Sequence, residues 1–436
     1  MVTVSSWLEW IVCLLTAVSA VMAFRKGRIW LLIALLALIA GWFLGTAKGL
    51  LIPAAIGSLA LWATVRAGAL LKASGLTLAL GGALASALLC WVFPLPEIPA
   101  LSGPSPVGTM TFTLPAGGGS PPLLTQVWYP SRVSKSAPRA PWLSDPALTP
   151  RFPFHRQGNA LANARNGLEL SDASAKFPVI FYEHAWNGHR QENVAQVEDL
   201  ASHGFIVIAV DHPGQAGRVL YPDGKVIVTR LPASFELASE GEVADFEKLA
   251  EQCLVERIQQ LTRVKQALAD RVPAMFAGRL ALEHSGVFGF SFGGTTALRC
   301  CAQDPSFYAG ANEDGMFLGD ENPRGPFLFF DEQQPGWLLK PAGPAEGAED
   351  SQTRRSETRI RNAMKKPDRY RMVLDGTLHP AFMDRIFTCR IPWLARVGTR
   401  SSAEIHQLIT SRLTIFFKET LLQPTEPPPE PNKTGR

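Results

Sequence analysis

Val287-Phe288-Gly289-Phe290-Ser291-Phe292-Gly293-Gly294 is the stretch whose reading sets the fold. An apolar run closes in Gly-x-Ser-x-Gly, the pattern that puts a serine on a sharp strand-to-helix turn with its hydroxyl exposed. The glycines two before and two after Ser291 matter because such a turn leaves no room for side chains beside a strained residue. Thr295 to Ala302 reads as the helix that follows. A serine held this way can attack a carbonyl.

Working outward, short apolar strands alternate with helices. Upstream lie strands at Val179 to Tyr182 and Phe205 to Val210, with a helix near Val194 to His203 between them. An amphipathic helix spans about Glu242 to Ala269, where Phe246, Leu249, Cys253, Ile258, Leu261, Val264 and Leu268 form one buried stripe. Downstream come strands at Ala309 to Asn312, Phe327 to Phe330 and Tyr370 to Leu374, and a final helix at Ser402 to Leu421. Earlier still, Thr109 to Leu114 and Leu123 to Tyr129 read as a hairpin across a Gly- and Pro-rich loop, followed by a polar, irregular stretch to about Lys176. Strands apolar on both faces and joined by helices imply a largely parallel α/β sheet, which binds ligands beyond the carboxyl ends of its strands. The serine turn lies at such an end.

The first 95 residues are different. Four apolar stretches follow one another, roughly Trp7 to Phe24, Ile29 to Gly45, Leu50 to Val65 and Leu76 to Phe93, each near the length of a bilayer span. No positive region precedes the first, which separates it from a cleaved leader. Arg25, Lys26, Arg28, Arg66 and Lys72 sit in loops on one side and Lys48 alone on the other, so both termini and the large domain are expected outside the cytoplasm. The expected organisation is a four-helix transmembrane domain over 1–95, a Pro- and Gly-rich linker over 96–107, an α/β domain over 108–422 and a disordered Pro-rich tail over 423–436.

A net charge of +4 without a basic block argues against nucleic acid as a partner. Six cysteines show neither a disulfide framework nor zinc-site spacing, so buried free thiols are expected, and no metal or organic cofactor is implied. His184 and His189, five apart with no third ligand nearby, read as residues that shape their loop.

A serine nucleophile needs a histidine to remove its proton and an acid to fix that histidine's tautomer. In the α/β-hydrolase arrangement these follow in the order serine, acid, histidine. Only His379 and His406 follow Ser291; His406 falls within the last helix, and His379 lies in a turn just after a strand, so His379 is the expected base. Asp314 and Asp331 each follow a strand, and their positions alone leave the acid open between them. The oxyanion hole needs the backbone N–H of Phe292 and one from the loop Phe181 to His189.

Several stretches in order resemble the plasma-type (group VII, calcium-independent) platelet-activating factor acetylhydrolases and their bacterial relatives. They are Val127-Trp-Tyr-Pro130, Phe177 to His184, Asp199 to Val207, Ala209 to His212, Gly289 to Gly294, Gly310-Ala-Asn-Glu-Asp314 and His379-Pro-Ala-Phe382, within about residues 105 to 422. The resemblance implies an α/β-hydrolase fold, Asp314 as the acid with Asp331 as runner-up, and Trp186 as the second oxyanion donor. It implies hydrolysis of short or oxidised acyl esters, sn-2 phospholipid esters among them, through an acyl-serine. A short-chain carboxylesterase or a polyester or cutinase-like hydrolase would use the same three side chains, and a membrane sensor with a retired hydrolase domain is a further alternative. Two departures stand out. His184-Ala185 replaces the family's His-Gly, so the oxyanion loop is expected to differ in geometry, and Glu313 beside the acid is expected to point to solvent or find a cation.

Overall fold

The computed structural model describes residues 4–422 apart from 27, 45–47, 118, 120, 133–136, 234, 236, 271–272, 321 and 334–346. The expected disordered tail lies outside the described residues.

Four helices open the chain: α1 (Val4–Lys26), α2 (Ile29–Leu44), α3 (Ile52–Thr64) and α4 (Ala69–Val92). Of these, α1 from Trp7 and α4 are long and apolar enough to cross a membrane, whereas α2 and α3 are shorter apolar helices. Close packing of α3 on α4 depends on small residues: a Cβ on Gly57 would stand 2.4 Å from the Leu78 carbonyl oxygen.

The remaining residues build one large sheet from β1 (Val107–Leu114), β2 (Leu123–Pro130), β3 (Arg139–Pro141), β4 (Leu161–Asn166), β5 (Phe177–Glu183), β6 (Ile206–Asp211), β9 (Leu280–Phe290), β10 (Phe307–Glu313), β11 (Phe327–Glu332) and β12 (Arg369–Leu374), with β7 (Arg218–Leu220) and β8 (Val226–Val228) as a separate ribbon. The order is β12-β11-β10-β9-β5-β6-β2-β1-β4-β3. From β12 to β6 every neighbouring pair is parallel, and β2 then pairs antiparallel with both β6 and β1. Helices α5 (Val194–Ser202), α6 (Glu240–Asp270), α7 (Phe292–Gln303), α8 (Ala348–Ala363) and α9 (Ser402–Leu421) cover it. Every residue of β5 and β6 is buried, which is why their sequences are continuous apolar runs.

The irregular stretch before Lys176 holds β3 and β4, and α8 lies between the strands expected at Phe327 to Phe330 and Tyr370 to Leu374, none of the three expected. Ala162 and Ala164 are the buried residues of β4, and alanine has little strand propensity. Helix α8 buries Ile360 and Ala363 under a mostly charged sequence, too few apolar positions to show a helical period.

The helical module is docked, not merely tethered. Glu9 of α1 accepts two hydrogen bonds of 2.6 Å from Arg156, which also donates to the Phe93 carbonyl at 2.8 Å. Both partners of that ion pair are buried. Val12, Leu50, Ala54 and Cys90 of the module share one apolar cluster with Trp142, Phe382 and Ile405 of the sheet domain. All six cysteines are free and buried, as expected.

Candidate active site

Strand β9 is central, so its carboxyl end is flanked by the ends of β5 and β10. Ser291 terminates it with φ 56° and ψ −122°, a backbone conformation costly for any residue with a Cβ. The surroundings hold it there: the Ser291 N–H donates to Glu313 O at 2.8 Å, and the Ser291 carbonyl accepts from Gly294 at 2.9 Å. A Cβ on Gly293 would lie 2.0 Å from the Glu183 carbonyl oxygen, and one on Gly289 would lie 2.4 Å from Gly293 C. The turn can therefore close only with glycine at both places.

Asp314 follows β10, also at positive φ (57°), its N–H donating to Phe330 O at 2.8 Å. Its Oδ1 accepts from the Glu332 N–H at 2.8 Å and its Oδ2 lies 2.5 Å from His379 Nδ1. His379 enters from the turn after β12, and its Nε2 lies 3.0 Å from Ser291 Oγ. Serine, histidine and aspartate thus form one continuous chain of hydrogen bonds. Burial works against protonation of His379, but the hydrogen bond and charge of Asp314, with Glu332 and Glu192 adding to it, hold its pKa above the usual histidine value.

The other acid is differently engaged. Asp331 accepts from Arg371 Nε at 2.7 Å, and burial pushes its pKa up to about 6 in spite of that cation. His406 packs its ring on Phe387, 5.4 Å between centroids.

Phe292 is the first residue of α7, so its N–H lacks an intrahelical acceptor, and no carbonyl among the described residues takes the N–H of Trp186. Both residues line the cavity at Ser291. Alanine at 185 brings no backbone penalty, because the positive φ in this loop falls on Asn187. The loop is fixed by side chains the motif reading left out. Glu192 accepts from the Ala185 N–H at 2.9 Å, and burial raises its pKa to about 7. Arg257 donates to the carbonyls of His184 at 2.6 Å and Ala185 at 3.3 Å. A signal existed: Arg257 stands four residues after Cys253 and four before Leu261, a charge on the apolar stripe of α6.

Glu313 corrects an expectation. It neither reaches solvent nor meets a cation: it is fully buried, its Oε2 accepting from Asn193 Nδ2 at 3.1 Å. Burial drives its pKa well above the carboxylate range, with Gln196 opposing and Asp384 reinforcing, which favours the protonated form. His184 and His189 are both buried. His184 Nδ1 lies 2.8 Å from Ala185 O, and His189 Nδ1 accepts from the Gln191 N–H at 3.2 Å.

A second serine–histidine pair, Ser102 Oγ to His203 Nε2 at 2.9 Å, is built otherwise. Lys418 Nζ lies 2.9 Å from His203 Nδ1, and an ammonium can only donate, so Nε2 carries the imidazole proton and the Ser102 hydroxyl donates its hydrogen bond to Asp199 Oδ2 at 2.9 Å. This cluster clamps the linker to α5 and α9.

The cavity at Ser291 measures about 430 Å³. Trp186, Phe235, Phe246 and Phe292 form one wall, with ring centroids 4.6 to 6.1 Å apart. Asp331, Glu332 and Glu357 also line the cavity.

A family model described as "Platelet-activating factor acetylhydrolase, isoform II" matches residues 92–225, so the resemblance holds there, over a stretch that ends before Ser291. Among solved structures, a ferulic acid esterase from Streptomyces cinnamoneus superposes with a TM-score of 0.57 at 22% identity, covering 78% of this chain and 97% of that one. Its sheet and helices share the α/β-hydrolase fold with this chain. No curated protein sequence matches the chain.

Proposed function

We propose that this relative of the platelet-activating factor acetylhydrolases is a membrane-anchored serine ester hydrolase that cleaves short or oxidised acyl esters, sn-2 phospholipid esters among them. The observation that carries the reading is the hydrogen-bond chain Ser291–His379–Asp314 at the carboxyl end of the central strand. With Asp314 accepting at Nδ1, the neutral imidazole keeps Nε2 open to take the Ser291 proton as Oγ attacks the acyl carbon. The negative charge then forming on the carbonyl oxygen is met by the N–H groups of Phe292 and Trp186. His379 returns the proton to the leaving alkoxide, and water repeats the sequence on the acyl-serine. The steps use side chains and backbone alone.

The cavity at the serine, about 430 Å³, is within the usual range for small-molecule sites and has room for a short acyl group with its ester headgroup. The aromatic wall favours a second reading, an esterase for small aromatic acyl groups, because flat rings pack edge-to-face on such a surface.

Support for the membrane comes from the outer faces of the helical module. Leu70, Phe43 and Leu84 are 82%, 76% and 72% exposed, and apolar side chains face outward on all four helices. Helices apolar all round but not buried in protein belong in lipid. Arg28 lies over the Trp62 ring and Lys72 over the Phe24 ring, which gathers the cationic loops at the end of the bundle away from Glu9 and the sheet domain. That end would face the cytoplasm.

The test is labelling of the full-length protein in detergent with a fluorophosphonate, followed by an ester panel from 4-nitrophenyl acetate through aromatic acyl esters to phospholipids with short sn-2 chains. Labelling lost in Ser291→Ala and turnover highest on short acyl phospholipids is expected; absence of any Ser291 adduct on folded protein ends the reading. A reporter fused after Leu422 that is active in the cytoplasm would overturn the orientation.

A further inference from the structure

The guanidinium of Arg257 meets the peptide carbonyls just before Trp186 and the ring of Phe292, the two proposed oxyanion donors. It projects from the middle of α6 and is 0% exposed. Nη1 donates to His184 O at 2.6 Å, Nη2 to Ala185 O at 3.3 Å, and Nε to Gln215 Oε1 at 2.9 Å. Its Cζ stands 4.8 Å from the centroid of the Phe292 ring, which meets the Trp186 indole edge-to-face at 5.1 Å. One cation therefore touches the loop after β5 and the first residue of α7, the two segments that would hold the substrate oxygen.

The Ala185 carbonyl and the Trp186 N–H belong to one planar peptide, and in a trans peptide they point in opposite directions. A donor that draws the carbonyl toward α6 aims the N–H away from α6. Polarising the carbonyl also increases the positive character of the N–H in the low-dielectric interior. Ala185 O already accepts from the neutral Gly188 N–H at 3.0 Å and lies 2.8 Å from His184 Nδ1, so hydrogen-bond satisfaction alone does not call for a cation there, and burying a charge is costly even with Glu183 Oε2 3.8 Å from Nη1. A buried cation next to the place where negative charge develops has the electrostatic use that a neutral donor lacks.

We propose that Arg257 is the positioning residue of the oxyanion hole, fixing and polarising the 185–186 peptide while bracing the Phe292 ring. The inference rests on Ser291 as the acyl acceptor and extends it to a residue that touches no substrate.

The experiment compares full-length wild type, Ser291→Ala, Arg257→Lys and Gln215→Met in detergent on 4-nitrophenyl acetate, with fluorophosphonate titration of active sites and inhibition by phenylboronic acid, which forms a tetrahedral serine adduct. Lysine keeps the charge but cannot span both carbonyls. Arg257→Lys is expected to lower kcat per titrated site ~10- to 100-fold, with KM within about threefold and boronate Ki weakened in parallel with kcat. Gln215→Met removes the partner of Nε, together with the Gln215 Nε2 bonds to Cys253 O at 3.2 Å and Glu256 Oε2 at 2.9 Å, leaves both carbonyl contacts of the guanidinium in place, and should show the same pattern at smaller amplitude. A merely structural role would lower the thermal midpoint and the fraction of titratable sites while leaving kcat per site and boronate affinity unchanged; that result overturns the proposal. If Arg257→Lys does not fold, Gln215→Met decides: unchanged kcat per site and boronate affinity overturn it. Wild type without turnover would instead refute the reading of Ser291 itself.

Discussion

Replacing Asp314 by asparagine tests the proposed acid with a direction dictated by its two hydrogen bonds. Oδ1 accepts from the Glu332 N–H at 2.8 Å, so the amide oxygen of an asparagine must occupy that position. Its NH2 group then faces His379 Nδ1, where Oδ2 now lies at 2.5 Å. A donor there forces Nδ1 to accept and puts the imidazole proton on Nε2, 3.0 Å from Ser291 Oγ. That tautomer cannot take the serine proton. Loss of the correct tautomer costs about 10⁴-fold in kcat where a triad operates, or about 5.5 kcal/mol of barrier. Asp331→Asn is the control: Asp331 touches Arg371, which keeps Glu357 at 2.6 and 2.9 Å, so turnover should remain within about threefold. The assay is kcat/KM for 4-nitrophenyl acetate at pH 8, normalised to sites titrated by fluorophosphonate. If Asp331→Asn abolishes turnover while Asp314→Asn keeps more than a tenth of it, the assignment of the acid is wrong.

Three further outcomes are expected. The base must be neutral to act, and His379 is held above the usual histidine pKa of about 6.5, so the acid limb of the kcat/KM profile should fall on the alkaline side of that value; a limb well below it would contradict the coupling to Asp314. Glu313 binds its proton more tightly folded than unfolded, so wild-type stability should fall as pH rises from the unfolded carboxylate range toward the folded pKa. Glu313→Gln removes that linkage and should gain on wild type by up to about 1.4 kcal/mol per pH unit in that window, read by urea unfolding at pH 5 and pH 8; an equal difference at both pH values refutes the neutral acid. Gly293→Ala, whose Cβ would meet Glu183 O at 2.0 Å, should displace the serine turn and lower kcat by about 100-fold, an effect absent if the turn tolerates a side chain.

Much of the frame was legible because it rests on local regularities. Strands β5, β6 and β10, the long helix α6 and the capped helix α9 follow from apolar periodicity, and α9 begins with the capping box Ser401 to Glu404. Strand β4 and helix α8 escaped because alanine and charged residues carry too little period to reveal a buried face. A charge on an apolar stripe says only that a partner exists, and the partner of Arg257, the backbone of the loop after β5, is about seventy residues earlier in the chain.

By itself the sequence determined that Ser291 sits on a tight turn after a strand, that a histidine in a strand-end turn follows it, and that two aspartates compete as the third member. These are statements about neighbours in the chain, where glycine sterics and side-chain period act directly. Only the tertiary structure decided that Asp314 meets His379 and Asp331 meets Arg371, because that depends on which strands are adjacent: β10 lies beside β9, and β11 intervenes before β12. It also decided the surroundings of Glu313. Charge beside charge suggested exposure or a cation, but burial among amides makes the protonated form cheaper than either, since removing a carboxylate from water costs more than binding a proton.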